Sequence, residues 1–240
     1  MKSRLLAVIP ARGGSKRIPR KNIREFHGKP LIAFTICAAL ESELFAGVIV
    51  STDSPEIADV ARAYGAEVPF LREAEIPNDT APVSLATLDV LERLDSATKP
   101  FDAIAQLMPN CPFRNRADIL ASFQQFLETG SQAQISMTRF GWQNPWWGLR
   151  RDESFRIKPF FEKEYHSRSQ DLPALFCPTG ALWWAKADAL RAARSFYTGQ
   201  ETGWEIAWQH GFDIDTMEDW KMAEAIFPMI QRETTQNQDE

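Results

Sequence analysis

Cysteine and histidine are scarce in this sequence. Cys37, Cys111 and Cys177 are odd in number and far apart, which excludes a disulfide framework and a CxxC metal site. His27, His166 and His210, with no HExxH, leave no histidine-built zinc site. Excess positive charge is missing too. The formal net charge is -5 and the isoelectric point about 5.4, which opposes non-specific nucleic-acid binding, because that mode neutralises many phosphates with Lys and Arg. No apolar run approaches the roughly 20 residues that span a bilayer, and the stretch from Leu5 to Pro10 is cut short by Arg12 and Gly13. Internal repeats and low-complexity segments are absent. These absences predict a soluble, unexported protein of the reducing cytoplasm, without membrane or nucleic-acid partners, in which any anion site is local.

What is present suits one substantial core: 44% of the 240 residues are hydrophobic and 25% charged. A single domain is expected over 1–230, with a flexible polar tail at 231–240. The first half alternates apolar runs with helical patterns, the rhythm of βα units around a mostly parallel sheet. Leu5 to Ile9, Gly47 to Ser51, Phe101 to Leu107, Ala133 to Met137 and Ala181 to Trp184 read as strands. Ser54-Pro55-Glu56 reads as a helix start and Gly65 as its stop. Further helices are expected from Pro30 to Leu40, after Asn115 with Asp118 answering its cap, from Lys186 to Arg194 and from Trp220 to Ile230. The fold class is therefore α/β, Rossmann-like, with helices flanking the sheet. Between Arg139 and Pro173 the periodicity breaks, and Trp142, Trp146 and Trp147 sit in that stretch. It reads as an insertion or arm that covers a site, packs on a partner subunit, or both.

The densest chemical signal follows the first strand: Pro10-Ala11-Arg12-Gly13-Gly14-Ser15-Lys16-Arg17-Ile18-Pro19-Arg20-Lys21-Asn22. Tandem glycines let backbone N–H groups approach a ligand, and clustered Arg and Lys supply charge suited to phosphates at the carboxyl end of a parallel sheet. The run is neither GxxxxGK[ST] nor GxGxxG, so P-loop hydrolysis and dinucleotide binding lose support. Asp213 and Asp215 alternate across one residue, so an extended segment turns both carboxylates the same way, as hard oxygen ligands suited to Mg²⁺. Alternatively, Asp215-Thr216 with Glu218-Asp219 simply starts the last helix.

The opening run resembles that of the CMP-sialic acid synthetases and their pseudaminic and legionaminic acid relatives, which activate nine-carbon 2-keto sugar acids with CTP. The resemblance continues, in the family's order, through Val50-Ser51-Thr52-Asp53, Tyr64-Gly65-Ala66, Met108-Pro109-Asn110-Cys111-Pro112-Phe113-Arg114, Arg168-Ser169-Gln170-Asp171-Leu172-Pro173, Thr179-Gly180-Ala181 and Phe212-Asp213-Ile214-Asp215-Thr216. It implies a nucleotidyltransferase fold and attack by the anomeric hydroxyl of a free 2-keto-3-deoxy sugar acid on the α-phosphate of CTP, giving a CMP-sugar and pyrophosphate. It implies that Arg12, Ser15, Lys16, Lys21 and Asn22 contact CTP, that Arg72 and the backbone around Ala81 serve the cytosine, and that Asp213 and Asp215 hold Mg²⁺. Arg12, Lys21 and Asp215 are the residues expected to carry turnover, and the arm is where family members form homodimers.

Arg168 and Gln170 are the candidate contacts to the acidic sugar, since guanidinium holds a carboxylate bidentately and an amide serves hydroxyl or acetamido groups. Trp183 and Trp184 point to opposite faces of a strand, so at most one lines a given pocket. Trp204, Trp208 and Trp220 fit buried helix faces as well as they fit a sugar platform. Several positions depart from the sialate pattern. Met108 stands where a glutamine is common, Pro82 and Val83 where serines are, Thr179 for a frequent asparagine, and Arg17 for the commoner glycine, as in the pseudaminic acid branch. A site that exchanges hydrogen-bonding groups for apolar ones favours a different set of sugar substituents. The alternatives are a Kdo-type enzyme, although its Ala-Arg-Tyr-Gly-Ser-Thr-Arg-Leu-Pro loop is not found here, a sugar-1-phosphate nucleotidyltransferase, or a nucleotide-binding module without catalysis.

Overall fold

The computed structural model describes residues 3–72, 83–96, 98, 100–141 and 143–236, with the side chains of 233–236 left out. A six-stranded sheet forms its centre. The strands are β1 (Leu5–Pro10), β4 (Phe45–Ser51), β5 (Ala103–Gln106), β6 (Ala133–Arg139), β9 (Phe176–Lys186) and β10 (Glu201–Glu205), in the order β10-β6-β9-β5-β1-β4. β4 and β5 flank β1 in parallel, and β10 runs parallel to β6. β9 lies antiparallel between β5 and β6. The expected mostly parallel sheet is therefore present with one reversed strand, and the start of β9 meets the carboxyl ends of its neighbours.

Alternation along β1 builds two cores. Leu5, Ala7 and Ile9 face one layer with α1 (Leu31–Glu41), α2 (Pro55–Ala63) and α4 (Arg116–Thr129). Leu6 and Val8 face the other with α3 (Ser84–Leu94) and α5 (Ala187–Ala193). Local chemistry sets several helix starts as expected. The Ser54 hydroxyl accepts from the Ile57 N–H ahead of Pro55, and Asn115 with Asp118 forms a complete capping box. Trp184 is buried in the first core, stacked with Phe45 and Phe126, and its indole N–H donates to Ser122.

A third cluster places the functional end of the molecule. α6 (Met217–Gln236) packs Trp220, Ala223, Phe227 and Ile230 onto Phe26, Phe113, Ile18 and Ile214. Ile18 comes from the basic loop and Ile214 from between the two aspartates, so one apolar cluster anchors both segments.

Several expectations need correction. α6 starts three residues before Trp220 and continues past Ile230 to Gln236. β9 starts at Phe176, five residues before the expected Ala181, because backbone bonds to the far end of β6 extend it. Trp204 lies on β10 and Trp208 is exposed in the turn beyond it; of the three, only Trp220 lies on a helix. Pairing with β6, supplied from far along the chain, makes the Glu201–Glu205 segment a strand whatever its tryptophan spacing. The arm contains a short hairpin, β7 (Leu149–Arg151) and β8 (Ile157–Pro159), and the indoles of Trp146 and Trp147 donate to the carbonyls of Pro173 and Ser167. Trp142 lies outside the described residues. The remaining short pair, β2 (Glu25–Phe26) with β3 (Lys29–Pro30), closes the basic loop. No helix among the described residues is long and apolar enough to cross a membrane.

Candidate active site

The loop after β1 is held at both ends. At its start, the Gly13 N–H donates to Asp53 Oδ1 at 2.7 Å, and a side chain on Gly13 would press on the Ser54 Cβ at 3.1 Å, so the loop runs close against the start of α2. At its far end Arg20 adopts a left-handed backbone (φ 56°, ψ 28°), a conformation that costs a non-glycine residue about 1 kcal/mol. That reversal starts the 3₁₀ turn Lys21–Ile23 and turns Lys21 inward. The Arg20 guanidinium pairs with Glu56 on α2, and the buried Asn22 amide donates to the Arg12 carbonyl at 3.1 Å. Asn22 thus fixes the start of the loop from within. Arg12 and Lys16 stand exposed along it and Ser15 is half-buried.

Lys21 crosses to the aspartate segment. Its Nζ donates to the Ile214 carbonyl at 2.8 Å and pairs with Asp215 Oδ1 at 3.0 Å. Arg17 pairs with Asp215 Oδ2 at 2.9 Å, and the Asn110 amide donates to Oδ1 at 3.2 Å. Burial pushes the Asp215 carboxyl upward, but the hydrogen bond and charge of Lys21, joined by Arg17, win and hold it below the usual carboxylate value. Asp213 behaves oppositely. Although it opens onto the cleft, the protein crowded about its carboxyl strips away water and raises its pKa, and the like charge of Asp215 adds to the rise. The Cys111 thiol, 2.7 Å from Oδ1, lowers it only in part. Burial drives the Cys111 thiol well above its usual value, with the charge of Asp213 adding to it.

The helix-start reading of the aspartate segment is realised through Thr216 and Asp219, with Asp219 Oδ2 accepting from the N–H groups of Asp215 and Thr216 and Thr216 Oγ1 from that of Asp219. The Asp215 side chain is left to face the basic loop. Arg72 donates its backbone N–H to the Thr52 carbonyl, beside the β4 end that carries Asp53. Ala81 lies outside the described residues. Arg168 and Gln170 stand apart from this cluster. Arg168 pairs with Asp171 inside the arm, and Gln170 lines a cavity of about 260 Å³ at the arm's base with Arg139, Asn144 and Ser169.

Sequence reasoning missed Asn110, Cys111, Arg17 and Asp53 as parts of the site. The first two were visible as members of the Met108–Arg114 run and Arg17 as a departure from the commoner glycine, but nothing local to Arg17 marks its partner 198 residues away.

A family model described as cytidylyltransferase matches residues 6–152. The chain is 34% identical over 226 residues to a pseudaminic acid cytidylyltransferase of Campylobacter jejuni, which covers 92% of this chain and 95% of that one. It is also 34% identical over 229 residues to the CMP-N,N'-diacetyllegionaminic acid synthase of Legionella pneumophila, covering 95% and 98% of the two chains. In fold it matches a CMP:2-keto-3-deoxy-manno-octonic acid synthetase complexed with CTP, with a TM-score of 0.71 at 18% identity, over 95% of this chain and 99% of that one. The chain belongs to the cytidylyltransferase family, among the nucleotidyltransferases that include the pseudaminic and legionaminic acid enzymes.

Proposed function

We propose that this protein couples CTP to a free nonulosonic acid, the anomeric C2 hydroxyl attacking the α-phosphorus with release of pyrophosphate. The observation that carries the reading is the meeting of Lys21 and Arg17 with Asp215, beside Asp213, at the carboxyl ends of the parallel strands. Exposed Arg12 and Lys16 and the open backbone at Gly14 offer positive charge and an N–H donor to the triphosphate. Lys21, fixed by the Ile214 carbonyl, is preorganised against charge that grows as the α–β bond breaks.

Mg²⁺ fits the acidic residues. Two carboxylates, one of them raised in pKa by burial with its neighbour's like charge adding to the rise, are hard ligands whose repulsion a divalent cation relieves. Among the described residues no group of three or more His, Cys, Asp or Glu is placed to hold a metal ion, and one or two carboxylates completed by substrate phosphates is the usual magnesium arrangement. When bound, the ion would neutralise charge on the phosphates.

Within the nonulosonic class, a pseudaminic- or legionaminic-type acid is favoured over N-acetylneuraminate. Met108 gives the cleft a half-buried apolar wall near Asp213, and the Thr179 hydroxyl is engaged with Ser136 at 2.9 Å rather than offered to a sugar. The arm is read as a homodimer surface. Phe155 is 74% exposed, and Leu149, Ile157 and Phe160 lie open beside it, an apolar surface suited to a second copy. Three free thiols suit a reducing cytoplasm.

The test is pyrophosphate release from CTP with pseudaminate, legionaminate, N-acetylneuraminate and Kdo, each with and without chelator. Chelator-sensitive turnover of a nonulosonic acid is expected. Turnover of Kdo alone, or of none of the four by protein that binds CTP, would sink the reading.

A further inference from the structure

We propose that Arg17 is a placeholder cation: it occupies Asp215 in the free protein, yields that carboxylate to the divalent ion, and moves to the nucleotide's phosphates. The inference rests on the preceding reading that Asp213 and Asp215 hold a metal ion beside CTP.

Two cations share Asp215, and they are held differently. The Lys21 side chain is 15% exposed, rises from a 3₁₀ turn and is tied to the Ile214 carbonyl as well as to Oδ1, so it stays. The Arg17 side chain is 63% exposed and takes the other oxygen. An exposed pair of this kind shifts an equilibrium by only about two- to fivefold, so a divalent ion with its greater charge displaces it.

Displacement does not send Arg17 far. Ile18, the residue after Arg17, is buried under α6, so the guanidinium swings about a fixed backbone point. Space is open beside Gly14, where a built side chain would meet nothing within 4 Å. A triphosphate on the Gly14 backbone would therefore lie within reach of the released guanidinium, whose fork suits phosphate oxygens. The charge exchange is balanced. In the free protein Arg17 offsets part of the acidic pair and repels a metal ion; in the loaded protein the metal offsets the aspartates and Arg17 offsets phosphate. The metal then enters with the nucleotide.

The test measures Mn²⁺ binding to the full-length protein without nucleotide, by electron paramagnetic resonance, and pyrophosphate binding to the Mn²⁺-saturated protein, by calorimetry. Arg17→Met is expected to bind Mn²⁺ at least about threefold more tightly than wild type, and pyrophosphate at least about threefold more weakly. Arg17→Lys keeps the charge and is expected to restore weak Mn²⁺ binding, which loss of structure would not do. Unchanged Mn²⁺ affinity in Arg17→Met, or unchanged pyrophosphate affinity, overturns the proposal while leaving the metal reading intact. Wild type that binds no Mn²⁺ even with CTP overturns both.

Discussion

Replacing Gly180 by alanine probes how the sheet supports the site. Gly180 lies on β9 as it passes the end of β5, and its carbonyl accepts from the Met108 N–H at 3.2 Å. A methyl group there would lie 2.9 Å from Met108 Cγ and 3.3 Å from its Cβ, with Asp213 Oδ2 at 3.6 Å. The crowded atoms belong to the stem of Met108, and that residue's carbonyl is held by Thr35 and Arg114, so the stem has little freedom to retreat. Overpacking of this kind costs about 2 kcal/mol, the middle of its usual range. For a chain of this length that lowers Tm by roughly 4–8 °C. Thermal melts at fixed pH measure it, and turnover should fall as well because the displaced stem presses toward Asp213. Gly203→Ala is the control. Its methyl would sit nominally closer to Met137, 2.5 Å from Cε and 2.6 Å from Sδ, but that is the free end of a flexible side chain on the outermost strand pair. A change within about 0.5 kcal/mol is expected there. If Gly180→Ala melts with wild type, or Gly203→Ala is the more damaging, the distinction between stem and tip is wrong.

Lys21→Met should cut turnover by about 10²–10³-fold through loss of a preorganised donor, as steady-state pyrophosphate release would show. It also has a stability signature. The folded-state pKa of Asp215 is depressed by Lys21, so the contribution is present above the unfolded-state pKa and is lost as pH falls through the folded one. Urea midpoints of wild type and Lys21→Met should therefore differ at neutral pH and converge in acid; a constant gap would show that the pair is not responsible. Trp184→Ala removes a buried ring that packs on Phe45, Phe123 and Phe126, and should cost about 3–5 kcal/mol in denaturant titration. Native thiol titration should show Cys177, which is exposed, reacting ahead of the others, with Cys111 inert until unfolding because burial and the Asp213 charge disfavour its thiolate. Fast labelling of Cys111 in folded protein would contradict the packing around Asp213.

Whatever depends on neighbours within a turn was legible in the sequence. Ser54 and Pro55 start α2, Asn115 with Asp118 starts α4, and the apolar runs at β1, β4 and β6 form strands because capping and period-two burial are decided within a few residues. The basic loop was legible for the same reason, as charge and glycine concentrated in one short run. α3 and β10 went unassigned, since α3 has no side-chain cap at its start and β10 exists through pairing with β6. The direction of β9 was likewise fixed by the strands on either side of it. Above all, the sequence supplied Arg17, Lys21, Asn110, Cys111, Asp213 and Asp215 without saying which carboxylate meets which partner. Burial of Ile18 and Ile214 in the cluster beneath α6 decides that, because apolar area removed from water is non-directional along the chain and draws together segments nearly 200 residues apart, bringing the charges beside them into contact.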